Sequence, residues 1–252
     1  MTAHPLRRMT QKRFSAPATS AYLLVLLATT AVLSSSSAQS DDHLLLSVST
    51  NLHQLAHDPV RVLIASAFWT SGWWELALWT TLFAAILAPV ERRLGWRRTT
   101  ITFAAGHIGA TLIVAAGLWI GIQLGAGDPA DVLGRDVGAS YGFFSVAALA
   151  AYVLAPRYRI RYLAAIIAYV VAAAAILHTF TDFGHLAAVA IALACYPLVS
   201  AATTSASTLE IRMPVRRALP ASLRLRPSPL SLIRSSRDLG SNDSQVSRLG
   251  VE

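Results

Sequence analysis

Asp136-Val137-Gly138-Ala139-Ser140-Tyr141-Gly142-Phe143-Phe144 is the stretch on which the reading of this chain turns. It sets a serine between two glycines at the mouth of a long apolar run. Further on, Thr181-Asp182-Phe183-Gly184-His185 opens another such run. A serine and a histidine placed this way are either packing residues or a nucleophile and its base. The surroundings decide what kind of protein holds them. A soluble domain carries roughly 25% charged residues, whereas this chain of 252 residues carries 13% and is 54% hydrophobic. Much of it must face lipid, and the two mouths then lie near a membrane surface.

Working outward, the apolar runs predict membrane helices at about 17–36, 72–90, 100–124, 138–155, 162–178 and 185–199. Residues 1–16 form a basic head with Arg7, Arg8, Lys12 and Arg13, and residues 17–200 form the membrane domain. The first run is followed by Ser34-Ser35-Ser36-Ser37, so it reads either as a cleavable signal peptide or as a retained helix, with the retained helix preferred. Residues 37–71 mix apolar and polar residues, and Leu44 to Leu55 reads as an interfacial segment. His43, His53 and His57 in that region lack the spacing of a metal site, so no metal and no cofactor is expected. Trp73-Trp74-Glu75 opens the second run as tryptophans do at a bilayer interface. Residues 201–252 are rich in serine, proline and arginine, and such a tail cannot bury enough apolar area to fold alone.

A formal charge of +8 would suggest nucleic acid in a soluble protein, but the arginines lie elsewhere than on a groove. They cluster in the head, in expected loops at 91–98 and 156–161, and in the tail. These alternate with the segments at 37–71, 125–137 and 179–184. By the positive-inside rule all four basic segments are cytoplasmic, which makes this a multi-pass plasma-membrane protein with both termini inside and no nucleic-acid partner. The single cysteine, Cys195, excludes an internal disulfide. His107 is the one strongly polar residue in mid-span, too little for a transporter, and reads as a hydrogen bond to a neighbouring helix.

That topology puts Ser140 and His185 in the same outer layer, one hairpin apart. A serine hydroxyl needs a base within reach, and a histidine at membrane depth needs a partner or a wet cavity. Gly138 and Gly142, four apart, would let a neighbouring helix come close.

Over roughly residues 60–200 the chain resembles the rhomboids, polytopic intramembrane serine proteases. Gly138-Ala139-Ser140 resembles the family's Gly-x-Ser, implying Ser140 as nucleophile. Gly184-His185 with Ala187, Ala188 and Ala190 resembles its histidine motif, implying His185 as general base. Arg61 to Trp69, and then Glu91-Arg92-Arg93-Leu94-Gly95, resemble its lead-in to the second helix and the exit from it. The resemblance implies an all-α, six-transmembrane-helix bundle with a Ser–His dyad. It also implies transmembrane protein substrates cleaved near the outer face, in contact with the lipid bilayer. Two places depart from the pattern. Tyr141 stands where the family usually has glycine, and the positions whose side chains help form the oxyanion hole fall near Glu75 and Trp79. A carboxylate cannot donate to an oxyanion when ionised. The alternative is therefore a catalytically inert protein of the same fold that binds transmembrane partners.

Overall fold

The structure is a computed structural model that describes residues 15–196. The basic head to residue 14, the end of the sixth expected span and the tail lie outside the described residues. In chain order the helices are α1 (Pro17–Ser34), α2 (Ala38–Val48), α3 (Leu52–His57) and α4 (Pro59–Ala65), the last continued by a 3-10 turn at Ser66–Phe68. Then come α5 (Trp73–Leu94), α6 (Trp96–Gln123), α7 (Ser140–Val153), α8 (Pro156–Leu177) and α9 (Phe180–Ala194). No strand occurs among the described residues. The all-α polytopic bundle expected from the sequence is what forms.

α1, α5, α6 and α8 are each long and apolar enough to cross a bilayer. α7 and α9, with 14 and 15 residues, are shorter. At 1.5 Å per residue α7 rises only ~21 Å, against ~30 Å of hydrocarbon. Its surroundings explain how it can be short. Tyr141, Val146, Ala148, Leu149 and Ala151 are almost wholly buried, so α7 is a central post wrapped by protein. A helix that is apolar all round belongs in such a position. α8 is the opposite case: only Val170 and Ala174 are buried, while Tyr169, Val171 and Ile176 face outward.

Several segments expected as loops are helical. The four-arginine stretch at 91–98 is broken only at Gly95. The basic stretch at 156–161 is the first turn and a half of α8, because Pro156 is a good N1 residue and nothing after it interrupts. The stretch at 179–184 is mostly helix as well: His178, at φ +56, ends α8, and Thr179 caps α9 one residue later. The interfacial segment at 44–55 is split where Asn51 accepts from the Gln54 N–H at 2.8 Å and starts a new helix. Within α5, Pro89 cannot donate to the Ala85 carbonyl, and the helix widens into a π turn over Phe83–Leu87 just before it.

Buried polar contacts set how the helices meet. Glu91, at 2% exposure, accepts from Ala18 N (2.8 Å), Thr19 N (2.8 Å) and Thr19 Oγ1 (2.7 Å), so a side chain of α5 caps the N-terminus of α1. At the far end of α7, Arg159 donates to the carbonyls of Ala151 and Tyr152 at 3.2 and 3.1 Å, and Arg93 donates to that of Val153. Cations on the last carbonyls of a helix also answer its dipole.

Candidate functional site

α7 starts at Ser140 because the chain before it is held out of the helix. Gly138 takes φ +126, a backbone only glycine adopts freely, and donates its N–H to the Ser66 carbonyl at 2.8 Å. Two residues earlier Asp136 is laced to the segment before α3. Its N–H donates to Ser49 Oγ at 2.7 Å, its carbonyl accepts from Thr50 N at 3.0 Å, and its carboxylate accepts from Thr50 Oγ1 at 3.0 Å. Tyr141 reaches back with its hydroxyl to the same carboxylate at 3.2 Å. Desolvation pushes the Asp136 carboxyl up from 3.8 to about 6, against the pull of the Thr50 and Tyr141 hydrogen bonds. The mouth of α7 is thus fixed from outside the bundle by residues 49–66.

Ser140 is half-buried on the first turn of α7, and among the described residues nothing hydrogen-bonds its side chain. His185 lies on the second turn of α9, one turn deeper than its expected place at the mouth. Its ring centroid is 5.5 Å from that of Tyr141 and 4.6 Å from that of Phe144. Phe144 is four residues from Ser140 and so on the same stripe of α7. His185 Nε2 is buried without a partner, and Nδ1 stands 3.9 Å from Asp182 Oδ1. No hydrogen bond joins Ser140 to His185. The two helices are in broad contact, with His185 against the helix that begins at Ser140.

Tyr141 fills the space between α7 and α9, and Gly184 makes that possible. A Cβ on Gly184 would stand 2.3 Å from the Tyr141 ring. The sequence assigned the close approach to Gly138 and Gly142. Instead Gly138 lies outside the helix, and Gly142 faces Phe103 of α6, whose ring a Cβ would meet at 2.5 Å. The tyrosine in place of the usual glycine therefore has its own compensating glycine on the histidine helix. On its other side His107 packs at 6.3 Å, with Nε2 bonded to Ser66 Oγ at 3.0 Å. His107 holds the 3-10 turn to α6, the structural hydrogen bond expected of it, and makes no hydrogen bond with Ser140.

Glu75 and Trp79 do come to the mouth of α7, but as partners of each other. Trp79 Nε1 donates to Glu75 Oε1 at 3.0 Å, and Ser71 N donates to Oε2 at 2.6 Å. A Cβ on Gly138 would be 3.7 Å from Glu75 Oε1. The indole N–H is thus spent on the carboxylate, and the carboxylate abuts the backbone two residues before the serine.

Asp182, Phe144, Ser66 and Asp136 complete the neighbourhood and were not singled out from the sequence as site residues. Asp182 carried a signal: Thr179-x-x-Asp182 is a capping box, and Asp182 precedes His185 by three residues, which places both on one helix face. Among the described residues no group of three His, Cys, Asp or Glu side chains could hold a metal ion. The arrangement offers an uncommitted hydroxyl, an uncommitted imidazole nitrogen and a carboxylate beside the imidazole, without an evident side-chain donor for an oxyanion.

No curated protein and no solved structure matches the chain. A family model does: residues 12–205 match that of the rhomboid-like proteins, a range that takes in every helix from α1 to α9, and the chain belongs to that family.

Proposed function

We propose that the protein is an intramembrane serine protease of the plasma membrane, with cytoplasmic termini, that cleaves transmembrane proteins near the outer face. Ser140 Oγ attacks the scissile carbonyl while His185 Nε2 takes its proton. The proton passes to the leaving amine, and water then hydrolyses the acyl-enzyme by the same base. The observation that carries this reading is His185 Nε2, buried and unpartnered on a helix packed against the one that opens with Ser140. Leaving such an atom unpaired costs about 1–3 kcal/mol, a cost that a substrate-bound serine hydroxyl would relieve. Catalytic hydrogen bonds are often loose before substrate binds.

A second reading rests on Glu75. Its carboxylate sits where an oxyanion donor is wanted and occupies the Trp79 N–H, which favours a protein of this fold that binds transmembrane partners without cutting them. One measurement separates the two. The full-length protein and Ser140→Ala are reconstituted in liposomes with a panel of reporter transmembrane substrates. Cleavage by the wild type that the variant lacks supports the protease. Equal, background-level traces across the panel support the non-cleaving protein.

A further inference from the structure

The carboxylate beside the histidine has a role that a two-residue mechanism leaves out. We infer that Asp182 is a positioning residue that fixes the tautomer of His185, an inference that rests on the dyad reading above. A neutral imidazole carries one N–H, on either Nδ1 or Nε2, and only an unprotonated Nε2 can accept the proton of Ser140. The tautomer is set by the partner of the other nitrogen. Asp182 Oδ1 is 3.9 Å from Nδ1, on the same face of α9, with the two side chains only 7% and 14% exposed.

The capping box assigns the oxygens. Asp182 Oδ2 accepts from Thr179 N at 3.3 Å and from Thr179 Oγ1 at 2.5 Å, so that oxygen is held and the carboxylate cannot swing away. Oδ1 has no other partner among the described residues. An ionised carboxylate accepts and never donates, so closing the 3.9 Å gap to hydrogen-bond distance puts the hydrogen on Nδ1 and leaves the lone pair of Nε2 to the serine. Once Nε2 is protonated, the same oxygen lies beside the positive ring. The competing group is Tyr141, whose ring touches His185 from α7, but its hydroxyl is bound to Asp136 and does not reach for either nitrogen. Phe144, the other contact from α7, has nothing to offer but its face.

The test reads the tautomer directly. Full-length protein labelled with 15N-histidine is placed in lipid nanodiscs at neutral pH, and the His185 resonances are identified by their loss in His185→Ala. The wild type is expected to show Nδ1 protonated and Nε2 unprotonated. Asp182→Ala is expected to bring a mixture of tautomers and to slow cleavage of a transmembrane reporter about 10- to 100-fold, the usual cost of losing an orienting partner. Because Asp182 also caps α9, Asp182→Asn serves as the control: its amide oxygen still accepts from Thr179 while its NH2 faces Nδ1, so the cap is kept and the tautomer is expected to invert to Nε2–H. An Nε2–H tautomer in the wild type, an unchanged tautomer in Asp182→Ala, or a wild-type tautomer in Asp182→Asn overturns the assignment. A wild type that cuts no reporter sinks the protease reading, while the tautomer comparison still judges Asp182.

Discussion

Glu75 is the residue on which the proposed chemistry turns. It stands at the mouth of α7 as an acceptor where a tetrahedral intermediate would need a donor, and it ties up the nearest N–H, that of Trp79. Glu75→Gln keeps the shape and exchanges one acceptor oxygen for an amide that donates. One good oxyanion donor is typically worth ~10²–10³ in rate. Cleavage of a transmembrane reporter by Glu75→Gln should therefore rise at least about tenfold over wild type. The amide cannot accept from both Trp79 and Ser71, so the variant should also lose about 1 kcal/mol of stability. A fall in cleavage would mean that Glu75 serves the mouth of α7 as it is. Gly184 gives a second prediction. Its replacement by alanine drives a Cβ into the Tyr141 ring and should destabilise the bundle by about 1–3 kcal/mol. Adding Tyr141→Ala opens the space again, so the double variant should be less unstable than the sum of the two single ones. Additive losses in a thermal unfolding series would show that the two residues do not bear on each other. Of the candidate site, Ser140 and His185 were legible in the sequence as residues near the heads of two adjoining apolar helices, because each stands close to a glycine at the head of an apolar run. The partner of each glycine was not legible. Which ring a missing side chain makes room for depends on the rotation of both helices, and spacing along one chain carries no information on that.

At the scale of elements, side chains do the capping that local sequence leaves undone. Ala16 precedes α1 and offers no cap, so Glu91 supplies one from α5. Glu91→Ala would leave three donors, two of them buried, without an acceptor, and at least about 2 kcal/mol of stability should go with them. The midpoint of denaturant-induced unfolding in detergent measures this, and an unchanged midpoint would count against the cap. The cap also bears on whether the first apolar run is retained, since removing α1 would take away the three donors that Glu91 accepts from. Asp136 fixes the outer segment to the start of α7, and its titration has a definite sign. Its carboxyl is raised in the folded protein to about 6 from 3.8, so between those values the folded state binds the extra proton. Stability that this group contributes in acid is then lost as pH rises towards and through 6, on the order of 3 kcal/mol in all. Unfolding midpoints measured from pH 4 to pH 7 should fall, and Asp136→Asn should flatten that trend. The element boundaries were the least legible part of the fold. Basic stretches at 91–98 and 156–161 read as loops because arginines interrupt hydropathy, yet arginine is a good helix former. Nothing in the backbone stops the helix there except Gly95.

Across the whole molecule, charge is sorted along the axis of α7. Arg93 and Arg159 both bind the carbonyls at its C-terminal end, which puts the clusters around Gly95 and at the head of α8 together at one end of the bundle. Asp136 lies at the other end, joined to Thr50 and followed by the start of α7. Exposed tryptophans mark both ends, Trp73 and Trp74 near Glu75, and Trp96 beside Gly95. The positive-inside rule predicts that the end carrying these arginine clusters stays in the cytoplasm. That orientation would put the Ser140 mouth on the outer side, as the proposed function requires. Orientation can be measured without any activity. Cys195 is the single cysteine, so Cys195→Ser gives a background for placing one cysteine at a time. Asp128→Cys, in the exposed segment before α7, should react with a membrane-impermeant maleimide on intact cells. Arg157→Cys, exposed at the head of α8 and uninvolved in capping α7, should react only after the membrane is opened. The reverse pattern would put Ser140 and His185 on the cytoplasmic side. The substrate would then be cut, or held, at its inner end, and the outer-face reading would have to be given up even with the dyad intact.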